Sequence, residues 1–351
     1  MPTNDLISQR KLEHVNIALH KSVQFTQKTT GFEEMEVEYF ALPEIDAEKI
    51  ETNTTFLKHA FSFPFMVSSM TGGHEKTQKI NQEIALACEE MGIGMGLGST
   101  RAAIENKKLI PTYDVRKFAP HIFLACNIGV SNLKKYSSQQ LQQLVNELQC
   151  DALIVHCNAA QEIVQKEGTT QFAHCLHEIA RVARELEQPV IVKEVGNGLS
   201  PSVVKKLDKL PIAAIDVAGA GGTSWTAIES KRGSVDNKEF REKFWNVGIP
   251  TLPALFGAKK YSKKPIIASG GVRNGQHILK SLVAGAQLSA AALPIIAQQH
   301  QKGKNGITSH LRSMQREFKT AMFLCGARKV KELREKKYYL FGKTKEWVEQ
   351  L

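Results

Sequence analysis

PVIVKEVGNGLSPSVVKKLDKLPIAAIDVAGAGGTSW (189–225) reads as one complete structural unit. It opens on an apolar run, PVIVKEVG (189–196), dense in Val and Ile, as expected of a strand buried on both faces. A glycine turn follows. SPSVVKKLDKL (200–210) then offers serine caps and a proline, Pro201, in the first turn of a helix. A second buried run, AAIDVAGAG (213–221), closes the unit. Strand, helix and strand in this order predict a parallel pair with a helical crossover.

The same rhythm extends in both directions. FPFMVSSM (63–70), GIGMGLGS (92–99), HIFLACNIG (121–129) and DALIVHCN (151–158) precede it, and KPIIASGG (264–271) and AQLSAAALP (286–294) follow. EKTQKINQEIALACEEM (75–91) carries Ile80, Ile84, Ala87, Cys88 and Met91 on one helical face. SSQQLQQLVNELQ (137–149) starts with a serine cap, 170–189 ends at a proline, and Asn274 to Ala284 forms a further helix. Eight strand runs are the number that closes a (β/α)8 TIM barrel. An open doubly wound sheet would show one glycine-rich turn early in the chain, whereas the glycines here cluster late and repeatedly. We expect a single domain over 1–351: a polar, irregular arm at 1–62, the barrel at 63–302, and a long amphipathic helix with a basic tail at 303–351. An insertion after the sixth strand, 222–262, is a candidate lid.

Composition narrows the classes. The six cysteines form no CxxC and read as reduced thiols. The N-terminus lacks an apolar core of the signal-peptide kind, and no apolar run reaches the roughly 18 residues of a membrane span. A cytoplasmic protein with no membrane partner is expected. The net charge of +11 suits an anionic ligand. Nucleic acid is not expected as a partner, because no basic stretch is interleaved with aromatics and no zinc spacing occurs.

Polar and glycine residues crowd the C-terminal ends of the runs, where barrel chemistry gathers: SSMTGG (68–73), GSTR (98–101), NIG (127–129), HCNAAQE (156–162), KEVGNG (193–198), AGAGGTSW (218–225) and SGGVRNG (269–275). The last resembles a phosphate loop, with glycines that expose backbone N–H groups, Arg273 as a charged fork and a following helix N-terminus. Lys193 ends a buried strand. It either pairs with Glu194 or Asp216 or stabilises an electron-rich ring or anion. Glu162 has no carboxylate cage around it, so a metal there would be shared with a ligand's phosphates. No cysteine–carboxylate pair is evident on matching strand ends. Arg10 and Lys11 alone read as surface cations.

RKLEH (10–14), MTGG (70–73), GIGMGLGSTR (92–101), HxNxxQE (156–162), VKEVGNG (192–198), GGTSW (221–225) and SGGVR (269–273), in this order, resemble the type 2 isopentenyl-diphosphate isomerase family from about Arg10 to Pro294. The resemblance implies reduced FMN, Mg²⁺ and a reductant such as NADPH, and interconversion of isopentenyl and dimethylallyl diphosphate. It implies flavin contacts from Met70, Thr71, Gly72, Ser99, Asn127, Lys193 and Thr223, and flavin-phosphate contacts from Gly270, Gly271, Arg273, Ala290 and Ala291. Arg10, Lys11, Ser99, Arg101, His156, Asn158 and Gln161 would line the substrate site, and Glu162 would bind Mg²⁺. Lys193, Gln161 and Glu229 would serve the chemistry. A homo-oligomer, tetramer or octamer, is also implied. Thr100, Ala218 and Ala290 depart from the family pattern, the first from a glutamine, the second from a serine and the third from a glycine. The alternative is an FMN-dependent oxidoreductase of the hydroxy-acid oxidase type on the same barrel.

Overall fold

The structure is a computed structural model that describes residues 4–232 and 238–351. Eight parallel strands close a barrel in chain order. They are β1 (Phe65–Val67), β2 (Gly94–Gly96), β3 (Leu124–Gly129), β4 (Ala152–Cys157), β5 (Val190–Glu194), β6 (Ala214–Asp216), β7 (Ile266–Ala268) and β8 (Leu288–Ala291). Each lies inside one of the eight apolar runs. β8 returns to β1 with Ser289 opposite Phe65 and Ala291 opposite Val67. Nearly all strand residues are buried, which explains why the runs show no polar alternation.

Register sets the position of the chemistry. Gly129 pairs with His156, His156 with Lys193, and Lys193 with Asp216. These residues form one row around the C-terminal rim. Side chains alternate along a strand, so Lys193 points inward while its neighbour Glu194 points toward the helical layer.

Local caps explain the helix starts. Ser137 and Gln140 form a reciprocal capping box. Ser200 caps Pro201–Asp208, and Asn274 accepts from the His277 N–H at 2.8 Å to cap Gly275–Val283. The helix expected across 170–189 occupies only Cys175–Glu185, because His174 takes a left-handed conformation just before it. The β2–β3 crossover has no long helix. It uses Arg101–Glu105 and short turns over Lys107–Thr112 and Arg116–Phe118.

Three expectations about the flanks are corrected. The arm is not irregular throughout: Asn4–His20 is a helix that contains Arg10 and Lys11. A hairpin, Thr54–Phe56 with His59–Phe61, brings Phe56 and Phe61 against Phe123 beneath the barrel. The C-terminal tail does not trail off, since Tyr338–Leu340 pairs antiparallel with Met35–Val37. The long C-terminal helix starts earlier than expected and runs over Leu293–Leu324, broken at Lys302 and Gly303. Within the insertion, Thr251–Tyr261 is a buried crossover helix, so only the part before it can cover the mouth. Residues 1–3 of the arm and 233–237 of the insertion lie outside the described residues.

Gly275 tests how closely the outer helices meet. A Cβ there would come within 2.2 Å of the Phe318 backbone nitrogen and 2.5 Å of the Met314 carbonyl. Gly275→Ala should cost about 1–3 kcal/mol through overpacking, read as a lowered urea midpoint. An unchanged midpoint would show that the two helices are free to separate.

Candidate functional site

A cavity of about 260 Å³ opens at the C-terminal mouth of the barrel. Most residues expected to act line it: Arg10, Lys11, Met70, Thr71, Ser99 and Arg101 from the arm and first two loops, and Asn127, His156, Asn158, Gln161, Glu162 and Lys193 from the next three. Thr223, Gly270, Gly271, Arg273 and Ala291 complete it on the far side. Gly72, Ala290 and Glu229 do not line it. Gly72 lies against the Tyr113 ring, Ala290 is buried in β8, and Glu229 is buried behind Gln161.

Lys193 is the buried charge at the centre. Its Nζ donates to Asp216 Oδ2 at 2.8 Å and to Ser269 Oγ at 3.0 Å, while Ser269 donates to Asp216 Oδ1 at 2.7 Å. Of the two ion-pair partners open in the sequence, Asp216 is the one used. Glu194 is occupied elsewhere: its Oε2 accepts from the N–H groups of Val195, Gly196, Asn197 and Gly198. That clamp shapes the loop after β5. Burial nevertheless lifts the Glu194 carboxyl to about 7.

One expectation about acid–base groups is overturned. Cys157 and Glu194 sit opposite each other on β4 and β5, so a cysteine–carboxylate pair does exist on matching strand ends. Both residues alternate out of the barrel and neither lines the cavity, so the pair has no access to a ligand there. Burial and then Glu194 push the Cys157 thiol up to about 12, which keeps it un-ionised.

The two sides of the cavity differ in chemistry. On one side Arg10, Lys11 and Arg101 gather. Arg101 reaches Glu105 at 3.5 Å, and Lys11 donates to the Ser99 carbonyl at 2.7 Å and to the Tyr113 hydroxyl. Burial, then Arg10 and Arg101, lowers Lys11 to about 7. His156 is lowered to about 4 by burial, Lys193, Arg101 and Lys11, so it is neutral near pH 7. Its Nδ1 contacts Asn127 Oδ1 at 2.5 Å.

The other side is a backbone cradle. Gly270 and Gly271 have φ of 96° and 72°, and a Cβ on Gly270 would come within 2.1 Å of the Gly219 carbonyl oxygen. The helix N-terminus that serves this cradle is not the expected one. Asn274 and Glu317 already satisfy N–H groups of Gly275–Val283. Leu293–Leu324 starts without a side-chain cap, and Ala291, Ala292 and Leu293 line the cavity. An anion is therefore best met by that helix. Arg273 is exposed and donates to Gln24. Between the two sides, Ser69 Oγ and Thr71 Oγ1 are buried without a hydrogen-bond partner among the described residues. Buried hydroxyls of this kind suit a flat polar ring with donors and acceptors on its edge.

Glu162 sits at the cavity edge, where Asn158 donates to its Oε1 at 2.9 Å and the Thr169 N–H to its Oε2 at 2.5 Å. Among the described residues no cluster of three metal-capable side chains exists. Glu162 can therefore hold a hard cation only together with ligand oxygens. Glu229 is buried in the helix Trp225–Arg232. Gln161 donates to its Oε1 at 3.2 Å, His14 Nε2 lies 2.8 Å away, and Arg232 donates to its Oε2 at 3.2 Å. Burial raises its pKa, but these partners outweigh burial and hold it below the usual carboxylate range. Gln165 oriented with its oxygen toward Arg10 accepts there at 2.9 Å and donates to Glu229 at 2.9 Å. Sequence reasoning missed His14, Tyr113, Gln165 and Ser269. His14, inside RKLEH, and Ser269, which opens SGGVRNG, lay within quoted motifs, whereas Tyr113 and Gln165 carried no signal.

The chain matches the family model of FMN-dependent dehydrogenases over residues 121–339. Isopentenyl-diphosphate delta-isomerase of Methanosarcina mazei is 37% identical over 348 residues, spanning 98% of this chain and 94% of that protein. The protein of the same name from Methanothermobacter thermautotrophicus is 38% identical over 347 residues, spanning 98% and 97%. Among solved structures, a variant of flavocytochrome b2 superposes with a TM-score of 0.69 at 17% identity, over 97% of this chain and 86% of that one. A chimera of (S)-mandelate dehydrogenase gives 0.67 at 13% identity, over 94% and 96%. At those identities the likeness is one of fold.

The Lys11 environment yields a pH dependence. Its ammonium is retained below pH 7 and lost above it, so affinity for an added dianion falls as pH rises through 7. Inorganic pyrophosphate should lose affinity from pH 6 to 8 more steeply in the native protein than in Lys11→Met, by at most about tenfold per unit for one proton. Calorimetric titrations with equal slopes in the two proteins would remove Lys11 as the titrating group.

Proposed function

This chain belongs to the isopentenyl-diphosphate delta-isomerase family, and on that premise we propose that it interconverts isopentenyl and dimethylallyl diphosphate with reduced FMN, Mg²⁺ and a reductant such as NADPH. The observation that carries the reading is the division of one cavity between a buried lysine, an arginine–lysine cluster and a glycine cradle on separate strand ends. One cluster suits the substrate diphosphate, and the cradle suits a cofactor phosphate.

The residues fit the groups they would hold. Ser69 and Thr71 have hydroxyls free for a ring edge, Gly270, Gly271 and the start of Leu293–Leu324 suit the cofactor phosphate, and Lys193 lies buried between the two sides. Arg273 would add charge at the cradle, and Met70, Asn127 and Thr223 would line the ring. FMN, when bound in its reduced form, supplies the proton-transferring group that an isolated double bond requires. Lys193 contributes a fixed positive charge that stabilises electron density on an anionic ring, and Asp216 and Ser269 hold it in place. Gln161 presents its amide to the cavity, and Glu229 behind it, held by His14, sets the orientation of that amide. Arg10, Lys11, Arg101, His156 and Asn158 bind the diphosphate, with Ser99 between them and the ring. Glu162 and the diphosphate oxygens would share Mg²⁺. Binding energy from the diphosphate then positions the five-carbon chain, which makes no strong contacts of its own.

Anaerobic incubation with isopentenyl diphosphate, FMN, Mg²⁺ and NADPH should yield the dimethylallyl isomer over many turnovers, with NADPH consumed only once per flavin to reduce it. Oxidation of lactate or mandelate without isomerisation would instead place the chain with the hydroxy-acid oxidases. Lys193→Ala should lower kcat by about 10²–10³-fold, with an unchanged circular dichroism spectrum. Full activity in that variant would remove Lys193 from the chemistry. Glu162→Ala should shift the Mg²⁺ titration to higher concentration, and an unmoved midpoint would argue against ligation.

A further inference from the structure

Tyr113 belongs to none of the sequence motifs and does not line the cavity, yet it is fully buried and touches three segments that do. It ends the turn Lys107–Thr112 in the β2–β3 crossover. Its hydroxyl donates to the Ser99 carbonyl at 2.6 Å and accepts from Lys11 Nζ. Lys11 reaches the same carbonyl at 2.7 Å. The ring lies so close to the loop after β1 that a Cβ on Gly72 would come within 2.1 Å of a ring carbon. At Gly73 a Cβ would stand 2.5 Å from the hydroxyl and 2.7 Å from Lys11 Nζ.

The base of this contact is fixed from behind. Thr112 Oγ1 accepts from the Gly73 N–H at 2.9 Å. Asn81 Nδ2 donates to the Thr112 carbonyl at 2.9 Å and reaches the Thr71 carbonyl at 3.3 Å. The turn that carries the ring is therefore tied to the loop after β1 and to Asn81. Among the described residues, no carboxylate lies at ion-pair distance from Lys11. A buried ammonium beside Arg10 and Arg101 must then find neutral acceptors. The Ser99 carbonyl is one. The Tyr113 oxygen is the other, and its lone pair is free for Lys11 because its own proton goes to Ser99.

We propose that Tyr113 is a positioning residue for the diphosphate end of the site, its hydroxyl holding Lys11 of the arm and the Ser99 carbonyl in one arrangement so that Arg10, Lys11 and Arg101 converge on the substrate. The proposal rests on the isomerase reading above. The ring has a separate task as the wall of Met70–Gly73, so the two parts of the side chain can be separated by substitution.

Tyr113→Phe keeps the ring and removes the oxygen. It should raise KM for isopentenyl diphosphate roughly tenfold, as expected for loss of one hydrogen bond to a charged group, while kcat stays within about twofold and FMN affinity is unchanged. Tyr113→Leu, which also removes the wall, should weaken FMN binding as well, read by flavin absorbance titration. An unchanged KM in Tyr113→Phe would overturn the proposal. So would a parallel loss of thermal stability and FMN affinity in Tyr113→Phe, which would mark a purely structural role. If the native protein fails to isomerise, the isomerase reading falls. Inorganic pyrophosphate binding then decides Tyr113 by itself: weaker binding in Tyr113→Phe supports the positioning role, and equal binding overturns it.

Discussion

A lysine buried inside a closed barrel requires a partner, and Asp216 meets Lys193 at 2.8 Å. An isolated ammonium in that environment would lose its proton or open the structure. The pair exists because the β5–β6 register places Lys193 directly beside Asp216. A shift of one residue would turn Lys193 toward the helical layer and bring Glu194 inward. The same register stacks His156 against Lys193. Closure of the barrel, the position of the charge and the neutrality of His156 are thus one constraint seen from three sides.

The glycine-rich ends follow from the same geometry. Eight strand ends converge on one mouth, so their loops must pass within backbone contact of one another. A Cβ on Gly222 would meet the Gly271 nitrogen at 2.5 Å, and one on Gly98 would meet the Thr71 carbonyl at 2.5 Å. Small residues there serve packing and ligand approach together. Ala218, at φ 37°, takes a left-handed conformation without being glycine, held by the contact of its N–H with Asp216 Oδ1 at 3.2 Å. That contact ties the loop after β6 to the carboxylate that anchors Lys193.

The parts of this arrangement that were legible in the sequence are those set by local rules. Buried parallel strands appear as unbroken apolar runs, and Ser137, Ser200 and Asn274 announce their helices by cap chemistry. The strand-end motifs identified most of the cavity lining because barrel topology sends them all to one face. What was not legible depends on partners far along the chain. The arm helix has no strong apolar stripe, so its periodicity is faint; its stability comes from packing. Glu229 reads as a loop carboxylate until Gln161 and His14 are seen to enclose it. Cys157 and Glu194 become neighbours only through strand register. Tyr113 lies in a crossover built from short turns, where no pattern marks a residue as near a site.

How the arm stays over the mouth is a question of which contacts are worth most. Arg232 gathers Glu13, Glu167 and Glu229, joining the arm, the loop after β4 and the insertion. Glu13 is 55% exposed at its side chain and Glu167 35%, so water weakens both pairs and each adds little. One turn before Glu13 the arm carries Arg10, with Lys11 next to it, beside Arg101, and their repulsion opposes docking. The balance is carried by apolar contact: Ile17 and Ala18 of the arm pack with Val23, Ala227, Ile228 and Trp225. Apolar packing therefore provides the docking energy and the ion pairs fix its register. The residual like-charge cost at Arg10, Lys11 and Arg101 is one that an anion with more than one charge, placed between them, would offset.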